Sequence, residues 1–375
     1  MKIRSQTTKT RAELQTILAW GILAGAIVLL AQPVLAQNQP DAIGAGLINP
    51  QAIAFSPSTG KVYAVDTSHG AVQIYNDALQ TAHRVLVGAG PVSITMNTVT
   101  GRVYVANAGD DMVSVLDGAT DAVVATVPVG GHSYSIAANS VTNKVYVSHT
   151  WSDQTSVIDG ATNTASSLKT GSIDLIAVNP GTNSIYLLGY EGGTVKVLDG
   201  TLQTTTTREA GMHAWGMTFN EKTGKLYVAR LGTGDVAALD GASSAISILP
   251  AGHTPCAIAV DAKTNTVYVA NYAGNNVSVI DATNRRIVAT VQAGSRPQAI
   301  AFDAKSNLVF VANTLGNSVT VIDAANYAVL ATLPAGNKPY ALAVVPGSAR
   351  LYVANEDKDS ASTIVDLSGI RKPVQ

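Results

Sequence analysis

Six histidines and a few Trp, Tyr, Arg, Lys and Asp residues are the side chains in this sequence best suited to chemistry or ligand anchoring. Imidazole can bind a metal or exchange a proton near neutral pH, and Trp, Tyr and Arg most often anchor ligands and partners. No His-x-x-x-His pair, G-x-S-x-G motif or phosphate-binding loop occurs in the chain. A site must therefore be assembled by the fold from positions far apart in sequence.

The element that positions these residues is a repeat. An aromatic residue within a short β-type run recurs with spacings of 41, 42, 40, 41, 41, 42 and 42 residues. Its eight positions are Tyr63, Tyr104, Tyr146, Tyr186, Tyr227, Tyr268, Phe310 and Tyr352. A period of this length and strand-rich composition indicates a β-propeller or a β-solenoid.

Each repeat contains four strand-like runs separated by turn residues, as in residues 255–292. Four short strands in about forty residues is the size of one propeller blade. The sequence therefore predicts an all-β propeller of four-stranded antiparallel blades, with eight blades and seven as the fallback. The eighth repeat lacks a clear fourth run, so residues 40–47 are expected to supply the outer strand of the last blade and close the ring.

The copies VYVAN at Val103–Asn107 and Val267–Asn271 and VFVAN at Val309–Asn313 resemble the YVTN-type β-propeller repeat family. The resemblance covers nearly all of the chain after the N-terminal segment and implies an exported or surface protein. More distant relatives of that family include lactonase-type propellers, the haem-d1 domain of nitrite reductase and surface-layer proteins. The copies IYLLG, LYVAR and the final LYVAN, which charged residues follow, depart from the pattern and predict unusual loops in blades 4, 5 and 8.

The N-terminal segment differs from the repeats in composition. Four basic residues precede an apolar run that ends near Val34-Leu35-Ala36, the pattern of a secretory signal. We expect residues 1–36 to be that signal, 37–370 one propeller domain and 371–375 a tail; an uncleaved anchor is the alternative. The expected location is the periplasm or outside the cell. One cysteine, Cys256, excludes an internal disulfide.

The charge balance argues against nucleic acid as a partner. The whole chain has 24 basic and 25 acidic residues, and four of the basic residues and one acid lie in 1–36. The remainder carries a net charge of about −4 and no basic field. We expect a monomer without a transmembrane domain after signal removal.

A propeller has two faces with different connections. The turn face carries the hairpin turns between strands one and two and between strands three and four of each blade. The loop face carries the loops between strands two and three and the connections between blades; these vary in sequence, as binding loops do. The candidate ligand- or partner-binding residues assigned to the loop face are His132, Tyr134, His149, Trp151, Asp174, Tyr190, His213, Trp215, Arg230, His253, Tyr272, Arg296 and Lys338.

Three functions remain open from the sequence. The first is a noncatalytic binding or scaffold protein that takes a small polar ligand or a protein partner on the loop face. The second is a lactonase-type enzyme, for which Asp174 alone is a weak indication of a cation site. The third is a haem-d1-like redox carrier with a loop histidine such as His213 as axial ligand. No catalytic residue, cofactor or metal is assigned by the sequence, and the first function is preferred.

Overall fold

The computed structural model describes residues 53–76, 81–190, 192–201, 204–211, 213–241, 243, 245–346, 350–355 and 363–370. These residues form 31 strands, with single-turn 3-10 helices at Thr67–His69 and Thr314–Gly316. No helix in these ranges is long and apolar enough to cross a membrane.

The strands form eight separate antiparallel sheets in chain order, which we number as blades 1 to 8. Blades 1 and 2 comprise β1 (Ile53–Ser56), β2 (Lys61–Asp66), β3 (Ala71–Asn76) and β4 (Thr81–Leu86), then β5 (Pro91–Asn97), β6 (Arg102–Asn107), β7 (Met112–Asp117) and β8 (Val123–Pro128). Blades 3 and 4 comprise β9 (Ser133–Asn139), β10 (Lys144–His149), β11 (Gln154–Asp159) and β12 (Thr164–Lys169), then β13 (Leu175–Asn179), β14 (Ser184–Gly189), β15 (Thr194–Asp199) and β16 (Thr205–Glu209).

Blades 5 to 8 continue the same order. Blades 5 and 6 comprise β17 (Ala214–Asn220), β18 (Lys225–Arg230), β19 (Asp235–Asp240) and β20 (Ile246–Pro250), then β21 (Pro255–Asp261), β22 (Thr266–Asn271), β23 (Asn276–Asp281) and β24 (Arg286–Gln292). Blades 7 and 8 comprise β25 (Pro297–Asp303), β26 (Leu308–Asn313), β27 (Ser318–Asp323) and β28 (Val329–Pro334), then β29 (Pro339–Val344), β30 (Arg350–Asn355) and β31 (Thr363–Asp366). The predicted eight-bladed propeller is confirmed.

The core lies between the blades. Eight clusters of buried apolar residues each join two neighbouring blades, and one of them joins blade 8 to blade 1 through Tyr352 and Tyr75. The ring is therefore closed by packing among the described residues. The predicted closing strand at 40–47 lies outside them.

The alternation of small and large residues along each first strand has a clear packing role. In β25, Ile300 and Phe302 pack in the cluster shared with blade 6, whereas Ala299 and Ala301 pack in the cluster shared with blade 8. Successive strand side chains point to opposite faces of a sheet. The first strand of blade 7 thus presents large side chains to blade 6 and small side chains to blade 8.

The turn face is built from repeated backbone-directed bonds. Asp117 accepts the backbone N–H groups of Ala119 and Thr120 at 3.0 and 3.1 Å, and these bonds help hold its pKa below the usual range. Asp159 and Asp281 make the same turn. These carboxylates are explained by turn chemistry.

Candidate functional site

The backbone of the loop face is fixed by a bond pattern that repeats from blade to blade. The residue after the second strand donates its N–H to a carbonyl in the connection that enters the same blade. The pairs are Ala108 to Gly90, Thr150 to His132, Leu231 to His213, Tyr272 to Thr254 and Thr314 to Arg296, at 2.9 to 3.0 Å. The loops are therefore a rigid frame for their side chains.

The Asn that ends the repeated phrase in several blades is part of this frame. Asn271 donates from Nδ2 to Ser278 Oγ at 2.9 Å and accepts the Gly252 N–H at 3.1 Å. Asn313 does the same with Thr320 and Gly294. A Cβ on Gly252 would lie 2.4 Å from Asn271 Nδ2, so only glycine fits there. The Asn is structural.

Four candidates lie in strands, namely Tyr134 in β9, His149 in β10, Trp215 in β17 and Arg230 in β18, and of these only His149 is buried. The sequence placed it between the second and third strands, whereas it is the last residue of β10 and is 1% exposed. Its Nε2 contacts Ser156 Oγ at 2.8 Å, seven residues on, as Asn271 contacts Ser278. Burial lowers its pKa below the usual histidine value. His149 thus replaces the motif Asn.

Two positions on this frame carry different side chains in different blades. The first, fourteen residues before the repeat aromatic, is termed the left-handed position because its φ lies between 50° and 60°. Its occupants are Gly90, His132, His213, Thr254, Arg296 and Lys338. A left-handed backbone costs a non-glycine residue about 1 kcal/mol, so the five non-glycine residues lower the free energy of unfolding.

The second position lies twelve residues before the aromatic and is termed the bulge position. In six blades this residue is skipped in the pairing of the first and second strands. The occupants, with the equivalent residue of blade 4, are Val92, Tyr134, Asp174, Trp215, Cys256, Gln298 and Tyr340. Six residue types occur at this position in the seven blades, and only Tyr occurs twice.

Sequence reasoning named Tyr134, Asp174 and Trp215 at the bulge position but missed Cys256, Gln298 and Tyr340. It also missed Thr254 at the left-handed position. The register of the repeat contained the signal, because all of these residues fall at fixed distances before the repeat aromatic. Cys256 is buried, its thiol donates to Pro297 O at 3.2 Å, and burial raises its pKa to about 12. It is a packing residue.

The candidates of blades 4 and 5 form an aromatic cluster. The Tyr190 ring lies 5.3 Å from the His213 ring and 5.6 Å from the Trp215 ring, measured between centroids. Asp174 Oδ2 accepts the Tyr190 N–H at 2.6 Å and so fixes the loop that carries this ring. All three rings are half-buried.

Arg230, in the same region, is committed to a local ion pair. Its Nε and Nη2 contact the two carboxylate oxygens of Asp235 at 2.5 and 2.7 Å, a bidentate arrangement across β18 and β19. Its Nη1 also donates to Ala210 O at 3.3 Å. Arg230 therefore supports the connection into blade 5, and its charge is neutralised there.

The candidates of blades 6 and 7 form a second group. The guanidinium carbon of Arg296 lies 4.9 Å from the centroid of the Tyr272 ring, a cation–π geometry. The Gly274 N–H donates to His253 O at 3.2 Å, which joins the His253 connection to the Tyr272 loop. Trp215 and Tyr272 both pack against the core cluster of blades 6 and 7.

Four other candidates lie apart from these groups in the described contacts. His132 and Trp151 form an edge-on pair at 5.4 Å on blade 3, and Trp151 is 81% exposed. Tyr134 packs against the core cluster of blades 4 and 5. Lys338 donates its N–H to Asn317 Oδ1 at 2.9 Å. The described residues hold no group of three His, Cys, Asp or Glu side chains placed to bind a metal.

Comparisons with known proteins agree with this architecture. The family described as "Lactonase, 7-bladed beta-propeller" matches residues 194–293, well under half of the chain. No curated protein matches the sequence. Among solved structures, Kuenenia stuttgartiensis hydrazine synthase aligns with a TM-score of 0.60 and 17% identity, covering 76% of this chain and 98% of that chain.

Two further structures align more closely in shape. Dihydro-heme d1 dehydrogenase NirN in complex with DHE has a TM-score of 0.73 and 15% identity, covering 89% of this chain and 76% of that chain. Saccharomyces cerevisiae Sqt1 has a TM-score of 0.72 and 10% identity, covering 88% and 99%. Identities this low show a shared fold and no more. The chain is a β-propeller repeat protein with eight blades.

Proposed function

We propose that this protein is an exported YVTN-type propeller that binds a small polar ligand or a loop of a protein partner on its loop face, without catalysis. One observation carries the proposal. The backbone of this face is repeated and hydrogen-bonded, while its left-handed and bulge positions carry different side chains around the ring. A rigid frame with variable side chains is the arrangement of a binding surface.

The physical properties of the variable residues support binding. Tyr190, His213 and Trp215 offer half-buried rings with limited conformational freedom, so a ligand that contacts them orders few rotamers. Their backbone is already held by Asp174 and by the repeated loop bonds. Preorganisation of this kind raises affinity because less entropy is lost on binding.

Native mass spectrometry of the protein exported by its host, together with metal analysis, tests the proposal. We expect a bound small molecule or partner in the wild-type protein and its loss when His213, Trp215 and His253 are all replaced by Ala. The circular dichroism spectrum should be retained, because two of the three side chains lie in connections. A wild-type protein that carries nothing and captures nothing from the exported fraction would contradict the proposal.

A lactonase-type enzyme is the second candidate, and the match of the lactonase family to residues 194–293 favours it. Hydrolysis of a panel of lactones, with and without added divalent cations, separates it from the binding protein. The purified holoprotein's absorption spectrum separates a haem-d1-like carrier from both, since a bound haem is coloured.

A further inference from the structure

We propose that the loop face between blades 6 and 7 contains a subsite for a small oxyanion, a carboxylate or phosphate group of the bound ligand, with Arg296 as its main contact. The proposal rests on the binding function above and names the chemistry of one part of its ligand. It depends on the charge distribution of the loop face and on the placement of the Arg296 guanidinium.

Charge is unevenly distributed over the loop face. The loops and connections of blades 2 to 5 and the strand ends beside them contain Asp110, Asp111, Asp153, Asp174 and Asp235. The corresponding segments of blades 6 and 7, at 251–256, 271–276, 293–298 and 313–318, contain no acid and carry His253 and Arg296. Lys338 follows in the next connection. An anion approaching Arg296 therefore meets a cation with no carboxylate in these segments of blades 6 and 7.

Arg230 and Arg296 show how the two sectors differ. Both are half-buried arginines of the loop face, but Arg230 is neutralised by a bidentate contact with Asp235. Among the described residues, no carboxylate lies within ion-pair distance of Arg296, and its guanidinium lies over the Tyr272 ring. Stacking against an aromatic face leaves the planar edge of a guanidinium open, and that edge matches two oxygens of a carboxylate or phosphate.

The backbone holds Arg296 in place for this contact. Its φ is 55°, and its N–H donates to Asn275 Oδ1 at 2.8 Å, while its carbonyl accepts the Thr314 N–H at 3.0 Å. Gly90 occupies the same repeat position in blade 2 with nearly the same φ, so the turn itself does not require an arginine. The side chain is therefore available for a role beyond the turn.

Neighbouring groups give the subsite an apolar wall and an imidazole. Trp215 and Tyr272 pack against the same core cluster, and the His253 connection is joined to the Tyr272 loop by the Gly274 N–H. An oxyanion attached to a planar or apolar body would contact Arg296 with its charge and the two rings with the rest of the molecule.

Isothermal titration calorimetry on the full chain at low ionic strength tests the subsite, with citrate as the carboxylate probe and inorganic pyrophosphate as the phosphate probe. We expect wild-type protein to bind at least one probe and Arg296→Gln to bind it at least about tenfold more weakly, because a charge-assisted bidentate contact is lost. Arg296→Lys should fall between them, since the charge remains without the fork.

Arg286→Gln is the matched control. It makes the same change in net charge on the turn face, where Arg286 is 67% exposed and 3.9 Å from Asp281. Equal weakening in both Gln variants, unchanged binding in Arg296→Gln, or no binding of either probe by wild-type protein would overturn the subsite. A neutral ligand that co-purifies and is lost in the variant of His213, Trp215 and His253 would preserve the binding function while the oxyanion subsite fails.

Discussion

The two faces of the propeller use polar residues in opposite ways. On the turn face the same Asp, Asn and Gly residues make the same backbone contacts blade after blade, as with Asp117 and Asp159. On the loop face the backbone contacts are equally regular, but the side chains change from blade to blade. The repeated backbone contacts therefore explain the stability of the fold. The side chains that vary on the loop face mark the surface where selection for binding can act.

The largest expected difference is between a buried ion pair on the turn face and an exposed ion pair on the loop face. Asp121, on the turn face, contacts Lys61 Nζ at 2.7 Å, and both side chains are about 10% exposed or less. Asp121→Ala leaves the Lys61 charge buried without its partner and should cost about 3 kcal/mol in the free energy of unfolding, measured by urea denaturation. Asp153→Ala breaks the exposed loop-face pair with Lys169 and should change it by less than about 0.5 kcal/mol. Equal losses would contradict the comparison.

The motif Asn differs from the variable side chains of the loop face because it makes the same structural contacts in more than one blade. Asn271→Ala removes the acceptor for Gly252 and the donor to Ser278, which leaves buried polar groups without that partner. The expected loss is about 2 kcal/mol, measured by the same denaturation. Asn284→Ala, on an exposed turn, is the control and should change stability by less than about 0.5 kcal/mol. A neutral Asn271→Ala would show that the loop frame does not depend on this residue.

His149 gives the loop face a pH-dependent stability. Burial lowers its pKa in the folded protein, so the unfolded chain binds more protons than the fold as pH falls below about 6.5. Its contribution to stability is therefore present above that pH and is lost at lower pH. Denaturation midpoints of His149→Asn, which restores the motif residue, should fall less between pH 7 and 5 than those of wild type. Parallel curves would contradict this role.

The smallest expected effects compare left-handed residues on the two faces. Thr254 is β-branched at a φ of 60°, and Thr254→Gly should raise the free energy of unfolding by about 0.5–1 kcal/mol because strain is relieved. Gly101→Ala on the turn face should lower it by about 1 kcal/mol, since its φ is 68° and nothing surrounds the added Cβ. Thermal denaturation measures both, and a destabilised Thr254→Gly would mean that Thr254 is structural.

The sequence predicted the fold well because the same pattern of strands and packing residues occurs eight times along the chain. The spacing of the aromatic from Tyr63 to Tyr352 predicted the blades. The structure then shows that the alternation in the first strand of blade 7 serves packing between blades, and that turn residues such as Asn143 and Gly224 have a left-handed backbone, which few residue types adopt.

The site was only partly predictable. The loop face could be assigned from topology, but the partners of individual side chains could not, because they come from other strands and blades. His149 looked like a loop histidine, yet its ring makes the hydrogen bond of the motif Asn. Arg230 and Arg296 looked equivalent, and only the three-dimensional placement of Asp235 and Tyr272 distinguishes them.

Replacement of His132, His213, Arg296 and Lys338 together by Gly tests the central claim most directly. Glycine keeps the left-handed backbone, as Gly90 does, and removes only the side chains. Native mass spectrometry of the variant produced in the natural host, with its melting temperature, should show a fold at least as stable as wild type and no bound molecule. A variant that melts well below wild type, or that still carries the wild-type ligand, would contradict the view that these side chains are displayed on the frame for binding.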